Sequence, residues 1–482
     1  MNKRFLCLGI SLCLLLGAFT GCSDKSNSSS DLSSGSEETP LINVTEEQRE
    51  QIDLGGKEFT IITWSNDLFD HVDGASDYGD AVIERNANVE KELNCTLNFV
   101  VKDPDSMVQE AVASMLSGEK YADIILPILW KTSGLISGGV VQDLNNITTL
   151  DLSKPYWDKN GTEFGNIAGK QYFAVNPMTR SYFGGMTAIL FNKRIVEELS
   201  LEDPYELYKN KQWTVSKMRE MAKAATLEKD GVAGMSANDQ WGLAAVDPVG
   251  LLGLSAIFAN EGSFIIKNDK GTLQYAMGSP IIRNTMAYMR DWIKNDNSIY
   301  AGEAVEASRE VWLQGNALFY SYTLGDIRKA SEVMDDFGIL PFPLGDQGNE
   351  VCEDNKQFID WNRSVFCVPS TLVGKDLEDV GYLLDSLAYY SQNEEAANVT
   401  ELQERYAQDD TAREIIEDLS NKAVMDYSQL VASSANPELF QATYQVYYDC
   451  MGDVGIDIAG KIEEVSNAGK TALANFMNSL NQ

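Results

Sequence analysis

The sequence predicts an α/β fold built in two lobes, and two observations lead to this prediction. Early in the chain, strand-like and helix-like patterns alternate in the order strand, helix, strand, helix, strand. That order is typical of a parallel sheet with helices on both faces. The chain is also long and 44% hydrophobic. After the N-terminal segment, roughly 440 residues remain, which is more than a single hydrophobic core usually accommodates.

The alternating elements can be assigned in order from their apolar periodicity. Strands are predicted where β-branched and apolar residues run together, and helices where apolar residues recur at a spacing of three and four. The predicted elements are a strand over 57–64, a helix over 80–93, a strand over 97–101, a helix over 109–116 and a strand over 122–127. In parallel sheets, ligands bind beyond the carboxyl ends of the strands, here the segments 64–67 and 127–130.

The N-terminus has the pattern of a lipoprotein signal peptide. Two basic residues precede an apolar run over 5–19, which is too short to span a bilayer comfortably and stops at small residues before Cys22. We therefore predict a signal peptide over 1–21, then an acylated Cys22 and a flexible tether over 22–55, which begins rich in Ser, Asp, Glu and Gly. The expected location is extracytoplasmic, on the outer face of the cell membrane. A transmembrane anchor or a chance cysteine is the less favoured alternative.

Charge and residue usage exclude several classes of function. The chain has 38 basic and 72 acidic residues, a formal charge of −34, so nucleic acid and anionic lipid surfaces are poor partners. The single histidine, His71, leaves little material for a metal site or a catalytic triad. The Asp-rich loop over 67–77 does not have EF-hand spacing, although bound Ca²⁺ stays open. We predict no cofactor and no metal. A disulfide between Cys352 and Cys450 also stays open, whereas Cys95 and Cys367 are expected in the core.

Short segments further along the chain occur in a recognisable order. They are Gly138-Gly139-Val140-Val141-Gln142-Asp143-Leu144, Gly169-Lys170-Gln171-Tyr172, Ala188-Ile189-Leu190-Phe191-Asn192-Lys193-Arg194, Trp213-Thr214, Gln314-Gly315-Asn316-Ala317-Leu318-Phe319 and Phe337-Gly338-Ile339-Leu340-Pro341-Phe342-Pro343. Together they span most of residues 56–400. This ordered set resembles the extracellular solute-binding proteins of ABC importers, the group that includes maltose- and oligosaccharide-binding proteins.

The resemblance implies a two-lobe clamp, like that of periplasmic binding proteins, with the ligand cleft between the lobes. The chain should cross between the lobes at 180–186, at 337–343 and near 393–400. Lobe 1 would hold 56–180 and 344–395, and lobe 2 would hold 187–336 and 400–482. The lobes would close around a solute, and an ABC permease in the membrane would recognise the closed form. The protein is expected to be a monomer.

The candidate ligand-binding residues follow from the chemistry of sugars. Sugar rings offer apolar C–H faces and rows of hydroxyl groups, so their receptors use flat aromatic rings and planar polar groups. Such groups at predicted strand ends and crossings are Trp64, Asn66, Asp67, Trp130, Tyr182, Asn260, Glu261, Tyr320, Tyr322, Trp361, Asn362 and Arg363. Trp361 with its two polar neighbours is the favoured group. Trp130 and Tyr320 could instead be core residues, and Arg363 could pair with an acidic neighbour.

These observations favour a lipid-anchored substrate-binding subunit of an ABC importer rather than an enzyme. The expected ligand is an oligosaccharide or another neutral carbohydrate, and an amino sugar is the nearest variant because the chain is acidic. The alternative is a surface glycoside hydrolase, which needs only two suitably spaced carboxylates.

Overall fold

The computed structural model describes residues 52–179, 184–334, 336–359, 363–419, 422–433 and 435–480, all within one compact unit of the chain that covers 40–482. The predicted signal peptide, Cys22 and most of the predicted tether lie outside the described residues. So do three of the predicted ligand-binding residues, Tyr182, Trp361 and Asn362.

The strands are numbered in chain order. They are β1 (Lys57–Thr63), β2 (Cys95–Val101), β3 (Ile124–Leu126), β4 (Asn166–Ile167), β5 (Lys170–Gln171), β6 (Thr187–Asn192), β7 (Trp241–Ala245), β8 (Ile265–Lys267), β9 (Leu273–Tyr275), β10 (Ile299–Tyr300), β11 (Ala317–Thr323), β12 (Phe337–Pro341), β13 (Gln357–Phe358) and β14 (Ala423–Val424).

The α-helices are numbered in the same way. They are α1 (Asp77–Leu93), α2 (Pro104–Ser117), α3 (Leu129–Ser137), α4 (Lys159–Phe164), α5 (Lys193–Glu198), α6 (Pro204–Lys209), α7 (Val215–Ala225), α8 (Gly253–Ala259), α9 (Pro280–Asn295), α10 (Val305–Leu313), α11 (Ile327–Ser331), α12 (Lys375–Tyr390), α13 (Gln392–Glu401), α14 (Asp410–Leu419), α15 (Tyr427–Val431), α16 (Pro437–Phe440), α17 (Val446–Gly452) and α18 (Ile458–Ser479). Segments of π-helix span Pro248–Leu252, Leu402–Tyr406 and Gln441–Gln445.

The first sheet confirms the predicted alternation of strands and helices. Its strand order is β2-β1-β3, and β1 runs parallel to both neighbours. The predicted helix boundary at residue 80 was late, because α1 begins directly after Ser76, whose side chain accepts a hydrogen bond from the Gly79 N–H. The helix ends at Asn94, which adopts the left-handed conformation with φ 47°. The carboxyl ends of β1 and β3 therefore meet at one edge of the sheet.

The second sheet is larger and mixed. In the described part of the chain its strand order is β10-β7-β11-β6-β12, with β6 antiparallel to both of its neighbours. Every residue of β6 is buried, because helices cover the sheet: α7 and α10 pack on β7, and α14 packs on β12. Helix α7 starts after Thr214, whose side chain accepts a hydrogen bond from the Lys217 N–H and so caps the helix. Each of the two parts of this α/β fold is therefore built around one of the two sheets.

The passage of the chain back to the first sheet lies later than we expected. Residues 337–343 were predicted to be a crossing, but their apolar run forms β12, which pairs with β6 inside the second sheet. The following segment stays there, because the Leu344 N–H donates to the Trp213 carbonyl at 2.9 Å. Ile359 still bridges Met186, whereas Ser364 bridges Ile128 beside the first sheet. The return therefore occurs between 359 and 364.

Helix α13 makes ion pairs with residues from both parts of the fold. Near its start, the Glu394 carboxylate pairs with Arg85 of α1 at 2.7 Å, in the first part of the fold. At its end, the Glu401 carboxylate lies 3.1 Å from the Arg328 guanidinium of α11, which follows β11 of the second sheet. The described helix therefore lies where the third crossing was expected.

The remaining expectations concern cysteines and membrane spans. Cys95 and Cys367 are buried, as predicted for core residues, while Cys352 and Cys450 are free thiols, so the possible disulfide is not formed. Among the described residues, no helix has both the length and the apolar character that crossing a bilayer requires.

Candidate functional site

A polar cavity lies at the carboxyl edge of the first sheet. Its volume is about 290 Å³, and we call it the polar cleft; its lining residues are Trp64, Ser65, Asp67, Leu68, Gly184, Gly325, Arg328 and Ser364. Trp64 directly follows β1, and its indole N–H donates to the Ser364 hydroxyl at 2.8 Å. Gly325 and Arg328 come from the chain after β11 of the second sheet. The cleft is therefore built from the surroundings of both sheets, and it contains the predicted residues Trp64 and Asp67.

A buried ion pair positions the loop that carries Asp67. The Arg85 guanidinium donates to the Leu68 carbonyl at 2.5 Å and to the Glu394 carboxylate at 2.7 Å. Both charged side chains are 0% exposed. Burial raises the pKa of Glu394 above its ordinary value, although Arg85 opposes this effect by stabilising the carboxylate. Arg85 of α1 thus holds the loop between β1 and α1 at Leu68, and Glu394 of α13 in turn holds Arg85.

Among the described residues that line the polar cleft, Arg328 is the cationic one, and the sequence analysis did not identify it. Its guanidinium donates to the Asn398 side-chain oxygen at 2.9 Å and to the Glu401 carboxylate at 3.1 Å. The guanidinium carbon also lies 5.6 Å from the centre of the Tyr406 ring. These partners orient a planar donor group at the cleft. In the sequence Arg328 looks like any charged residue of a short helix, and its partners are about seventy positions away in the chain.

A second cavity, rich in aromatic residues, begins at Trp130, just after β3. Its volume is about 430 Å³, and we call it the aromatic cavity; its lining residues are Trp130, Gln429, Ala432, Ser433, Pro437, Phe440, Gln441, Tyr444 and Tyr448. The Trp130 indole N–H is buried and has no acceptor among the described residues. The Lys131 ammonium lies 3.9 Å from the centre of the Trp130 ring and so covers one face of it. Trp130 therefore belongs to a cavity wall rather than to a closed core.

The aromatic residues that face Trp130 come from the C-terminal part of the chain. The Phe440 and Tyr444 ring centres are 6.0 Å apart, and the Tyr444 hydroxyl lies 2.9 Å from that of Ser428. The hydroxyl groups of Ser133 and Ser433 lie 2.6 Å apart in a buried contact that ties α3 to this region. The sequence analysis missed these rings, because helical spacing alone does not separate a cavity wall from a core face.

Backbone contacts join the two cavities. The Leu129 N–H donates to the Arg363 carbonyl at 2.8 Å, and Ile128 and Ser364 form an antiparallel bridge. Ser364 lines the polar cleft, while Trp130 follows Leu129 in the aromatic cavity. The predicted residue Arg363 lies at this junction, but its side chain is fully buried and lines neither cavity. Its described role is to connect the two walls through its backbone.

The structure places three predicted ligand-binding residues outside both cavities. Asn260 is buried, and its side chain bonds to Gln347, with 2.9 Å to the backbone N–H and 2.6 Å to the amide oxygen. Glu261 is exposed and pairs with Lys356 at 2.9 Å. Tyr320 is 2% exposed and donates its hydroxyl to the Asp326 carboxylate at 2.6 Å. These side chains do not reach the polar cleft or the aromatic cavity, because each is bound by neighbours within the second part of the fold.

Two more predicted residues are not among those that line the cleft. The Asn66 amide donates to the Asp70 carboxylate at 3.1 Å on the exposed side of the loop. The half-buried Tyr322 ring lies 6.4 Å from the Tyr320 ring. Of the predicted residues that the structure describes, Trp64, Asp67 and Trp130 thus line the two cavities.

The carboxylates in these cavities do not form the pair that a glycoside hydrolase uses. Among the described lining residues of the polar cleft, Asp67 is the sole carboxylate, and the aromatic cavity is lined by none. Groups of three or more potential metal ligands are also not found in the described part of the chain. The glycosidase alternative therefore gains no support at this site.

Comparison with known families identifies the chain. The profile of the family described as bacterial extracellular solute-binding protein matches residues 76–368. The chain belongs to this family. The matched region ends at residue 368, so the rings at 440–448 that line the aromatic cavity lie beyond it. Among curated proteins, none matches the chain significantly.

Solved structures show that this member of the solute-binding family has the two-lobe fold of periplasmic binding proteins. A maltose/maltodextrin-binding domain from Bdellovibrio bacteriovorus bound to maltotriose aligns with a TM-score of 0.56 and 11% identity, covering 86% of this chain and 100% of that one. A cyclic α-maltosyl-1,6-maltose binding protein from Arthrobacter globiformis aligns with a TM-score of 0.60 and 14% identity, covering 87% and 100%. An ABC substrate-binding protein from Listeria monocytogenes in complex with cycloalternan gives 0.55 and 13%, covering 86% and 99%.

Proposed function

We propose that this solute-binding protein captures an oligosaccharide and delivers it to an ABC permease. Family membership supports a role in binding an extracellular solute rather than in catalysis. The related structures named above contain maltotriose and cycloalternan, which are oligosaccharides. The observation that carries the proposal is the position of the aromatic cavity and the polar cleft, side by side at the carboxyl edge of the first sheet.

The two cavities supply complementary contacts for a chain of sugar units. The rings of Trp130, Phe440 and Tyr448 offer flat surfaces for the C–H faces of sugar rings. In the polar cleft, the Asp67 carboxylate and the Arg328 guanidinium can bind neighbouring hydroxyl groups in bidentate fashion. An oligosaccharide long enough to contact both cavities would use both sets of groups.

The rest of the proposed cycle takes place at the cell surface. The acylated Cys22 would hold the protein on the outer face of the membrane through the tether, as a monomer. The chain between the two sheets passes at 179–186 and at 359–364, and α13 connects them again, so closure about these segments would enclose the ligand. The permease would then recognise the closed form. We propose no cofactor and no nucleic-acid partner.

Calorimetric titration against a panel of neutral, amino and acidic glycans tests the proposal. We expect saturable binding of a neutral oligosaccharide, with no release of reducing ends during the titration. Trp130→Ala should weaken this binding, whereas Trp241→Phe, in a buried strand of the second sheet, should not. Release of reducing ends would favour the hydrolase. If the Trp130→Ala variant binds the oligosaccharide as strongly as the parent does, the aromatic cavity is not part of the binding site.

A further inference from the structure

The aromatic cavity has room for a cyclic group, and its described walls carry no charged side chain. Four aromatic residues, one alanine and one proline make up most of the lining, and the other lining residues are glutamine and serine. The cavity has a volume of about 430 Å³, and a dry apolar cavity of roughly 150 Å³ is already large enough to bind benzene. One or two aromatic rings therefore fit in this space.

Two polar side chains of the aromatic cavity are bonded to other parts of the protein. The Gln429 amide is engaged at both ends: its oxygen accepts from the Asp426 N–H at 3.0 Å, and its nitrogen donates to the Ile359 carbonyl at 2.9 Å. The Ser433 hydroxyl lies 2.6 Å from the Ser133 hydroxyl. Gln429 is 1% exposed and Ser433 is 3% exposed. These two residues therefore offer few hydrogen bonds to a ligand.

The aromatic side chains of the cavity present mainly carbon atoms to it. The Tyr444 hydroxyl lies 2.9 Å from the Ser428 hydroxyl in a buried contact, and Tyr444 is 3% exposed. The Trp130 indole nitrogen is buried, so the ring lines the cavity with its carbon atoms. The half-buried Phe440 ring has no polar atom. Among the described lining residues, Gln441 is the polar residue that is exposed.

Such walls suit a flat apolar group better than a whole sugar ring. Both kinds of ring can stack their faces on aromatic side chains. A sugar ring also has hydroxyl groups around its edge, and a hydroxyl that leaves water without finding a partner is unfavourable. An apolar ring has no such groups, and burial of its surface is favourable. In the polar cleft, by contrast, the Asp67 and Arg328 side chains can bind hydroxyl groups. The two cavities therefore favour chemically different parts of a ligand.

We propose that the ligand is a glycoside that carries an apolar ring, such as an aryl group, on its sugar part. The apolar ring occupies the aromatic cavity, and the sugar part occupies the polar cleft. This inference rests on the proposed function, because it takes the polar cleft as the place of the sugar. Ile128, two positions before Trp130, bridges Ser364 of the polar cleft, so one molecule can contact both cavities.

The test is calorimetric titration of the full chain with matched pairs of glycosides. The two members of a pair share one sugar, which is glucose, maltose or cellobiose, and carry either a methyl or a phenyl group; maltotriose is the oligosaccharide for comparison. Phe440→Ala removes a half-buried ring from the aromatic cavity. Tyr288→Ala is the matched control, because it removes a half-buried ring from α9, which lines neither cavity. Asp67→Asn removes the carboxylate of the polar cleft at an exposed position.

We expect the phenyl member of at least one pair to bind at least roughly tenfold more tightly than the methyl member, because it buries an apolar ring. The same phenyl glycoside should bind more tightly than maltotriose, and its heat capacity change on binding should be more negative than that of the methyl glycoside. Phe440→Ala should remove most of the preference for phenyl, whereas Tyr288→Ala should keep it. Asp67→Asn should weaken both members of the pair by the same factor.

The inference is overturned if both members of every pair bind equally, if maltotriose binds as tightly as the best phenyl glycoside, or if Phe440→Ala keeps the preference. Heat capacity changes are compared in the parent protein, so equal values for the two members overturn the inference even where a variant is unstable. Binding of maltotriose without a preference for phenyl would leave the proposed function standing. If neither the glycosides nor maltotriose bind, both proposals fail.

Discussion

The buried ion pair of Arg85 and Glu394 affects both the stability of the fold and the loop that carries Asp67. We therefore predict the effect of Arg85→Met. The guanidinium donates to Glu394, to the Leu68 carbonyl and, at 3.0 Å, to the Asn86 side-chain oxygen. Methionine fills similar space but leaves the carboxylate buried without its cation. Breaking a buried pair in this way typically costs about 3–5 kcal/mol of the free energy of unfolding.

The loss of unfolding free energy in Arg85→Met should depend on pH, because the Glu394 carboxylate can take up a proton and become neutral. Burial already raises the pKa of Glu394 in the folded protein, and removing Arg85 takes away the charge that lowers it. The folded state then binds this proton more tightly than the unfolded state, whose pKa is about 4.3. The stabilisation that this proton gives the folded state is fully present below the unfolded-state pKa, and it is lost as the pH rises through the pKa of Glu394 in the folded state. Arg85→Met should therefore be less destabilising at about pH 5 than at about pH 8.

Urea unfolding of the parent, the single variant and the double variant Arg85→Met with Glu394→Leu measures these effects. The double variant should recover much of the lost stability, because no buried charge is left alone. Ligand binding should still be weakened in it, since the Leu68 carbonyl has lost its donor and the loop that carries Asp67 is less well held. A single variant as stable as the parent, or equal losses at both pH values, would refute the reasoning.

The other predictions address the site and the anchor. Trp130→Ala should weaken oligosaccharide binding by at least roughly 2 kcal/mol in titrations, with a small effect on unfolding, whereas Trp312→Ala, at a position that is 0% exposed, should cost about 3–5 kcal/mol of stability; the opposite pattern would assign Trp130 to the core. Solution scattering should give a smaller radius of gyration with ligand than without it, and an unchanged radius would indicate a rigid site. Cys22→Ser should release the protein from membranes in fractionation, and a variant that still partitions with them would contradict the predicted lipidation. Trp361→Ala should also weaken binding by roughly 2 kcal/mol with little change in the unfolding midpoint, whereas retained affinity with a lowered midpoint would make Trp361 a packing residue.

Local patterns in the sequence were sufficient to predict the strands and helices of the first sheet. The strand before Trp64 and the strand before Pro127 were predictable, because continuous apolar and β-branched runs have few alternatives to a buried strand. Once both strands are parallel, their carboxyl ends must share an edge, and this places Trp64, Asp67 and Trp130 at the candidate site. The same reasoning failed at 337–343, where an equally apolar run was assigned to a crossing although it pairs inside the second sheet.

The sequence by itself determined the parallel sheet, the α/β class and, through the ordered segments, the family. The tertiary structure alone decided which polar and aromatic side chains reach a cavity. Tyr320 and Tyr444 are both tyrosines in apolar segments, yet one donates to Asp326 within the core and the other lines the aromatic cavity. The physical reason is range: apolar periodicity reports which face of an element is buried, whereas the residues that share a cavity wall with it can lie far away in the chain, as Trp130 and Tyr444 do.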